Sequence, residues 1–334
     1  MLCLINFFKP FKKIYIDYVL LIFFILFTLI FAFTINMGGD YGLYEKNYYF
    51  NGELKFEELL KNKELIYNVL ARIFYELSFN YVSFSIFIKL ISITLIYIFI
   101  RTCFENKLLI SCLFLSFYIY SLTLGIVRQG LAIAIFLMVI IFWGKLKLIK
   151  FVFVTSLLSL IHIASAFIII LKLNIKNFIK IFLLIVPLFG IYFIFLGIDH
   201  FFGLIDVYVI RKEHYSYGFF SRFALILPII ILYFRHKDKI KNSAYAELFI
   251  STNYIAIPVL LIFTLANPTI SDRLLFFLYP IYFLIFDKIM TVLNMNLKKI
   301  YASIFLLLNF TFLNVWLTLG NNIKFFIPIK HLFQ

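Results

Sequence analysis

The chain has 334 residues, 64% hydrophobic and 14% charged, with a formal net charge of +15 and a mean hydropathy of +1.03. A soluble domain runs near half apolar, so this composition excludes one. The positive charge does not point to nucleic acid, because the lysines stand in short tracts between apolar runs, as the positive-inside rule requires. Apolar runs of about 17 to 25 residues recur, each long enough to cross a bilayer core of roughly 30 Å. The expected fold is all-α and polytopic, with about ten transmembrane helices (roughly nine to twelve) in a single transmembrane domain, 1–334.

In chain order, the spans are expected near 14–35, 82–101, 107–125, 128–143, 149–171, 178–198, 219–235, 246–266, 272–290 and 300–319. The first follows Lys9, Lys12 and Lys13 and leaves through "FTINMGGDYGLY" without a small-residue cleavage site, which reads as a retained helix. Residues 65–80, "LIYNVLARIFYELSFN", are apolar at helical spacing but too short and too charged to cross, and read as an interfacial helix. Cys3, Cys103 and Cys112 show no metal-ligand spacing and are expected as thiols.

Lysine placement puts the N-terminus in the cytoplasm, together with "WGKLKLIK" (143–150), "RHKDKIK" (235–241) and "DKIMTVLNMNLKK" (287–299). Outside fall a first segment (36–81), the Arg128 turn, a second loop (199–218) and "ANPTISDR" (266–273). The count then demands an odd number of crossings between Lys150 and Asp199, where two are drawn. One of these must be a partial or re-entrant element, with His162 and Pro187 as its break points.

Of the seven arginines, Arg72, Arg128, Arg211, Arg222 and Arg273 map to the external side, where topogenic signalling does not place them. Arginine's planar fork suits a bidentate grip on phosphate or carboxylate, so an anionic ligand at the outer water–lipid boundary is indicated. A helix-end arginine can also be a snorkelling anchor or a local ion-pair partner. Arg273 has Asp272 beside it, Arg72 has Glu76 one turn on, and Arg211 has Glu213 close by. Arg128 differs, because no acid occurs between Glu105 and Asp199.

The first external segment is rich in acids, most of them balanced by nearby lysines. Asp40 stands apart in "MGGDYGLYEKNYY", where two glycines allow a tight turn and Tyr41 and Tyr44 follow. A carboxylate beside aromatic rings suits sugar hydroxyls and sugar faces, while an ordinary loop with interfacial tyrosines gives the same string. His162, in "SLIHIASAF", is an ionisable group within an apolar run, suited to a general base or ligand donor, or to a neutral hydrogen bond with a serine. There is no Walker A loop, dinucleotide fingerprint, HExxH motif or metal-ligand cluster, so any substrate must arrive activated, in or on the membrane.

"DYGLY" after the first helix, "VRQGLAIAIFLMVIIFWGKLKLIKFVFVTSLLSLIHIASAFI" (127–168) and "SDRLLFFLYPI" (271–281) together resemble the EpsG/Wzy group of polysaccharide polymerases. The resemblance implies a GT-C-like fold and a glycosyltransferase of the bacterial inner membrane that needs no cofactor or metal. Its partners would be oligosaccharide repeat units on undecaprenyl pyrophosphate, membrane lipids and a chain-length regulator protein. It would transfer the growing glycan to the non-reducing end of a new lipid-linked unit at the external face. Carried over by motif, Arg128 and Gln129 match the family's RQ pair, His162 its histidine and Arg273 its late arginine. Asp40, Tyr41 and Tyr44 match its acidic-tyrosine motif. The implied catalytic set is Asp40, His162 and Arg128, and Arg128, Gln129, Arg273, Tyr41 and Tyr44 would bind substrate; the distribution of external arginines adds Arg72, Arg211 and Arg222 to the expected substrate-binding residues. Relatives carry a Glu-Pro pair where this chain reads "NKELIYN", which leaves the role of Glu64 open. A flippase for the same lipid-linked sugar, an O-antigen ligase or a membrane acyltransferase are the rival classes.

Overall fold

The structure is a computed structural model and describes residues 13–35, 38, 40–60, 64–114, 122, 125–172 and 218–319. Among these, all regular structure is helical. The α-helices are α1 (Lys13–Phe31), α2 (Tyr41–Glu53), α3 (Phe56–Leu60), α4 (Leu65–Glu76), α5 (Tyr81–Cys103), α6 (Lys107–Leu113), α7 (Val127–Ile141), α8 (Leu148–Ser159), α9 (Gly218–Ile240), α10 (Ala246–Ser251), α11 (Ile257–Ala266), α12 (Pro268–Val292) and α13 (Met295–Leu319). A 3₁₀ helix covers Ile163–Lys172, and a π-helical turn, Thr252–Ala256, joins α10 to α11.

Among the described residues five stretches are long and apolar enough to cross a membrane: Ile14–Phe31, Tyr81–Cys103, Gly218–Ile240, Ala246–Leu265 and Pro268–Val292. The expected membrane-protein character therefore stands, with fewer such stretches than the roughly ten crossings expected. The expected span 178–198, Pro187 and the 199–218 loop lie outside the described residues. So does most of 107–125 beyond α6.

Three differences from the expected elements have local causes. The helix expected over 128–143 runs for 15 residues. That is about 22 Å at 1.5 Å per residue, short of the roughly 30 Å hydrocarbon core. It is buried nearly all round, as a core helix that is apolar from Leu131 to Ile141 should be. The stretch 149–171 is not one helix: α8 stops at Ser159, and the 3₁₀ helix starts only after His162. Thr155, Ser156 and Ser159 turn their hydroxyls onto the carbonyls of Phe151, Val152 and Ser156, which loosens the ladder just before the break. The first external segment holds a further helix, α2, whose buried residues Tyr41, Tyr44, Tyr48 and Asn51 recur at helical spacing.

The chain divides into two compact units. One comprises Met1–Leu54, Asn68–Ile141 and Phe286–Gln334; the other comprises Lys55–Tyr67 and Phe142–Ile285. In the first, α5 lies along α7 and α1 packs on α5 and α6. Asn80 caps α5 by accepting from the Ser83 backbone N–H (2.9 Å), and Arg101 sits in its last turn, where a cation suits the helix dipole. Fully buried Asp287 accepts from the backbone N–H groups of Glu105 (3.0 Å) and Asn106 (2.9 Å), pinning the α5–α6 turn. In the second unit, α8 packs on the 3₁₀ helix, which also meets α10. Lys172 closes that contact, pairing with Glu247 at 3.1 Å and lying 4.3 Å over the Trp143 ring.

Candidate active site

In the first unit the structure joins two motifs that are distant in sequence. Gly38, with φ 99°, supplies the left-handed turn that lets the chain leave α1 and enter α2. Asp40 occupies the N-cap position, and its carbonyl accepts from Tyr44 N–H at 2.9 Å. Its carboxylate makes no capping hydrogen bond, and the residue is half-buried. The first turns of α2 then aim two rings inward. Tyr41 meets Tyr81 edge-on at 5.1 Å, and the Tyr44 ring lies 4.6 Å beneath the Arg128 guanidinium. A cation over a tyrosine face is attracted by the ring's quadrupole, more strongly where water is scarce.

Arg128 enters in the first turn of α7, beside Gln129, which is 2% exposed. Gly130 follows because nothing larger fits: a Cβ there would come 2.6 Å from the Leu122 carbonyl oxygen. Gly130→Ala should therefore lower stability by about 1–3 kcal/mol through a forced backbone shift. Thermal unfolding of the purified protein in lipid nanodiscs measures this, and an unchanged midpoint would show that the turn relaxes freely.

Tyr48, deeper on α2, donates its hydroxyl to the Phe79 carbonyl at 2.6 Å. Burial pushes its phenol up to about 12, with Tyr49 and Tyr75 adding to the effect, so it remains a donor at neutral pH. Arg72 is committed locally. Its Nε donates to Glu76 (2.7 Å), and one terminal nitrogen donates to the carbonyls of Gly52 and Leu54 (2.6 Å each). These carbonyls close the C-terminal end of α2, where a cation suits the helix dipole. The structure thus gives Arg72 the local-partner role, holding α2 in place.

In the second unit, His162 sits in the break between α8 and the 3₁₀ helix. Its Nδ1 lies 2.5 Å from Glu64 Oε1. Both side chains are largely buried, 11% and 8% exposed. Glu64 adopts φ 57°, an uncommon left-handed conformation for a residue with a Cβ. Two neighbouring links hold it there: Ile66 N–H donates to the Leu160 carbonyl (2.9 Å), and Ser165 Oγ donates to the His162 carbonyl (2.7 Å). A carboxylate only accepts, so Nδ1 is the protonated nitrogen of the pair. In the neutral imidazole the lone pair then falls to Nε2, which is buried without a hydrogen bond among the described residues.

The remaining arginines divide. Arg222 forms an ion pair with Asp272, the acid adjacent to Arg273 in sequence, with its guanidinium 5.0 Å over Phe276. Tyr279 donates to the Arg222 carbonyl at 2.8 Å. A paired Arg222 presents little net charge to a second anion. Arg273 is partly exposed on α12, and Arg211 lies outside the described residues. Among the described residues, no three His, Cys, Asp or Glu side chains gather into a metal-binding group. Sequence reasoning missed Glu64 as the histidine's partner; its one signal was a lone acid at the head of the apolar stretch 65–80.

These features define a helical membrane protein with an arginine stacked on a tyrosine near a helix start and, separately, a histidine oriented by a carboxylate. Over residues 17–331 the chain matches the EpsG family, and it belongs to that family. Membership supports a polysaccharide-polymerase-type role in broad terms. No curated protein and no solved structure matches the chain.

Proposed function

We propose that this chain polymerises oligosaccharide repeat units carried on undecaprenyl pyrophosphate, working at the outer face of the bacterial inner membrane with its N-terminus in the cytoplasm. The observation that carries the reading is the meeting of the Asp40–Tyr44 motif with Arg128, inside a chain of the EpsG family. A lipid diphosphate places its charge at the bilayer edge and its tail among apolar helices. An arginine in the first turn of a short, buried helix matches that geometry, with its fork for phosphate oxygens and the helix N-terminal field behind it. The tyrosine and carboxylate beside it suit sugar faces and hydroxyls. External placement rests on the distribution of arginines and lysines along the sequence.

In the reaction, the bond from the donor sugar's anomeric carbon to the diphosphate oxygen breaks. A bond forms from that carbon to a hydroxyl oxygen at the non-reducing end of the new unit. The electron pair leaves with undecaprenyl diphosphate, whose growing charge Arg128 stabilises. The hydroxyl proton passes to a general base, for which the chain offers two groups: the His162 imidazole, whose ring Glu64 holds, and the Asp40 carboxylate.

The test is a strain lacking the gene, read by the length of its polysaccharide and by lipid extracts of its membranes. The expected result is loss of long polymer with accumulation of single lipid-linked repeat units, and restoration by the wild-type gene. A mutant with no repeat units at the surface at all would favour a flippase. One with full-length polymer stranded on its lipid carrier would favour a ligase.

A further inference from the structure

One intramembrane charge has no part in the chemistry above. Lys89 lies in the middle of α5, 2% exposed, and makes no ion pair among the described residues. An ionised group buried in a membrane helix is costly without compensation, so its partner identifies what it does. That partner is the Thr34 carbonyl, accepting from Nζ at 2.9 Å. Thr34 is itself folded back onto α1, its hydroxyl donating to the Phe31 carbonyl at 2.7 Å. The ammonium therefore sits at the carbonyl-rich end of α1, where the helix dipole favours a cation.

The same helix holds the far end of this connection. Tyr81, eight residues before Lys89, carries the edge-on contact with Tyr41. Eight residues are about 12 Å, and about two turns, of α-helix. The chain between α1 and α2 is thus fastened to α5 at Thr34 by Lys89 and at Tyr41 by Tyr81. Between these points lie Gly38, whose left-handed φ commits the turn, and Asp40.

We infer that Lys89 is a positioning residue, which holds the Asp40–Tyr44 segment in register on α5 and through it sets Tyr44 under Arg128. The functional part of this inference rests on the proposed polymerase reading; the structural part does not. Removing the ammonium releases Thr34, and a charge-assisted hydrogen bond of this kind resists local opening by about tenfold or more.

Amide hydrogen exchange reads such opening directly. In the full-length protein in lipid nanodiscs, the Tyr41 and Tyr44 amides, which donate to the Gly38 and Asp40 carbonyls, report on the segment, and the amides of α8, in the other unit, are the control. Lys89→Met should speed exchange at Tyr41 and Tyr44 about tenfold and leave α8 unchanged, while Lys89→Arg, which keeps the donor, returns the rate toward the parent. An unchanged rate at Tyr41 and Tyr44, or an equal rise in α8, would overturn the inference. If the rate rises at Tyr41 and Tyr44 alone and polymer length is untouched, Lys89 does position the segment, and the role proposed for Asp40–Tyr44 in polymerisation is wrong.

Discussion

Arg128→Ala should abolish long polymer while the protein remains in the membrane at its normal level. Turnover of lipid-linked repeat units in membrane vesicles should fall by at least about a hundredfold, the scale on which removing one preorganised charge from a developing anion acts. The residue's surroundings sharpen the expectation. Its guanidinium lies 4.6 Å over the Tyr44 ring, which fixes the plane of the fork without neutralising it. Arg128→Lys keeps the charge but loses both the bidentate fork and the flat stack, so it should recover only a small part of the activity. Tyr44→Phe, which keeps the ring face, should stay within several-fold of wild type. Tyr44→Leu should lose about tenfold, between the values for an exposed and a desolvated cation–π contact. Normal turnover in Arg128→Ala would remove Arg128 from the site and leave the EpsG membership standing.

The sequence shows the long helices well because apolar length is a local property. The expected 82–101 and 272–290 correspond to α5 and α12, each displaced by no more than a few residues at its ends. The interruption at His162 was legible for another reason: lysine placement demands an odd number of crossings between Lys150 and Asp199, which two full spans do not supply. Arg72 with Glu76 was legible because a spacing of four places them on one helix face. Helix α2 was hidden in plain view, since the tyrosines at 41, 44 and 48 keep helical spacing inside a polar, charged string that reads as loop. The short length of α7 was not legible, because a core helix and a membrane span share the same apolar composition. Least legible were the pairings across the fold. Glu64 meets His162 over 98 residues, and Asp272 pairs with Arg222. Nothing in periodicity or composition encodes which charge faces which.

The Glu64–His162 pair gives the second large effect. His162→Gln should lower the turnover number by about 10²–10⁴, the usual contribution of a positioned general base, with little change in the substrate concentration for half-maximal rate. Glu64→Gln should be milder, because the ring remains but its orientation and the balance of its charge are weakened. The decisive measurement is the double variant. If Glu64 acts through His162, then Glu64→Gln/His162→Gln is no slower than His162→Gln alone, since a partner with nothing left to orient has no further effect. A purely structural pair behaves otherwise. There, each single change exposes an unpaired buried polar group at a cost of about 1–3 kcal/mol, unfolding temperature falls in both, and activity follows stability. The two cases separate on one comparison, turnover against unfolding temperature across the three variants. Full turnover in His162→Gln would move the proton-accepting role to Asp40, whose carboxylate, at the start of α2, makes no capping hydrogen bond.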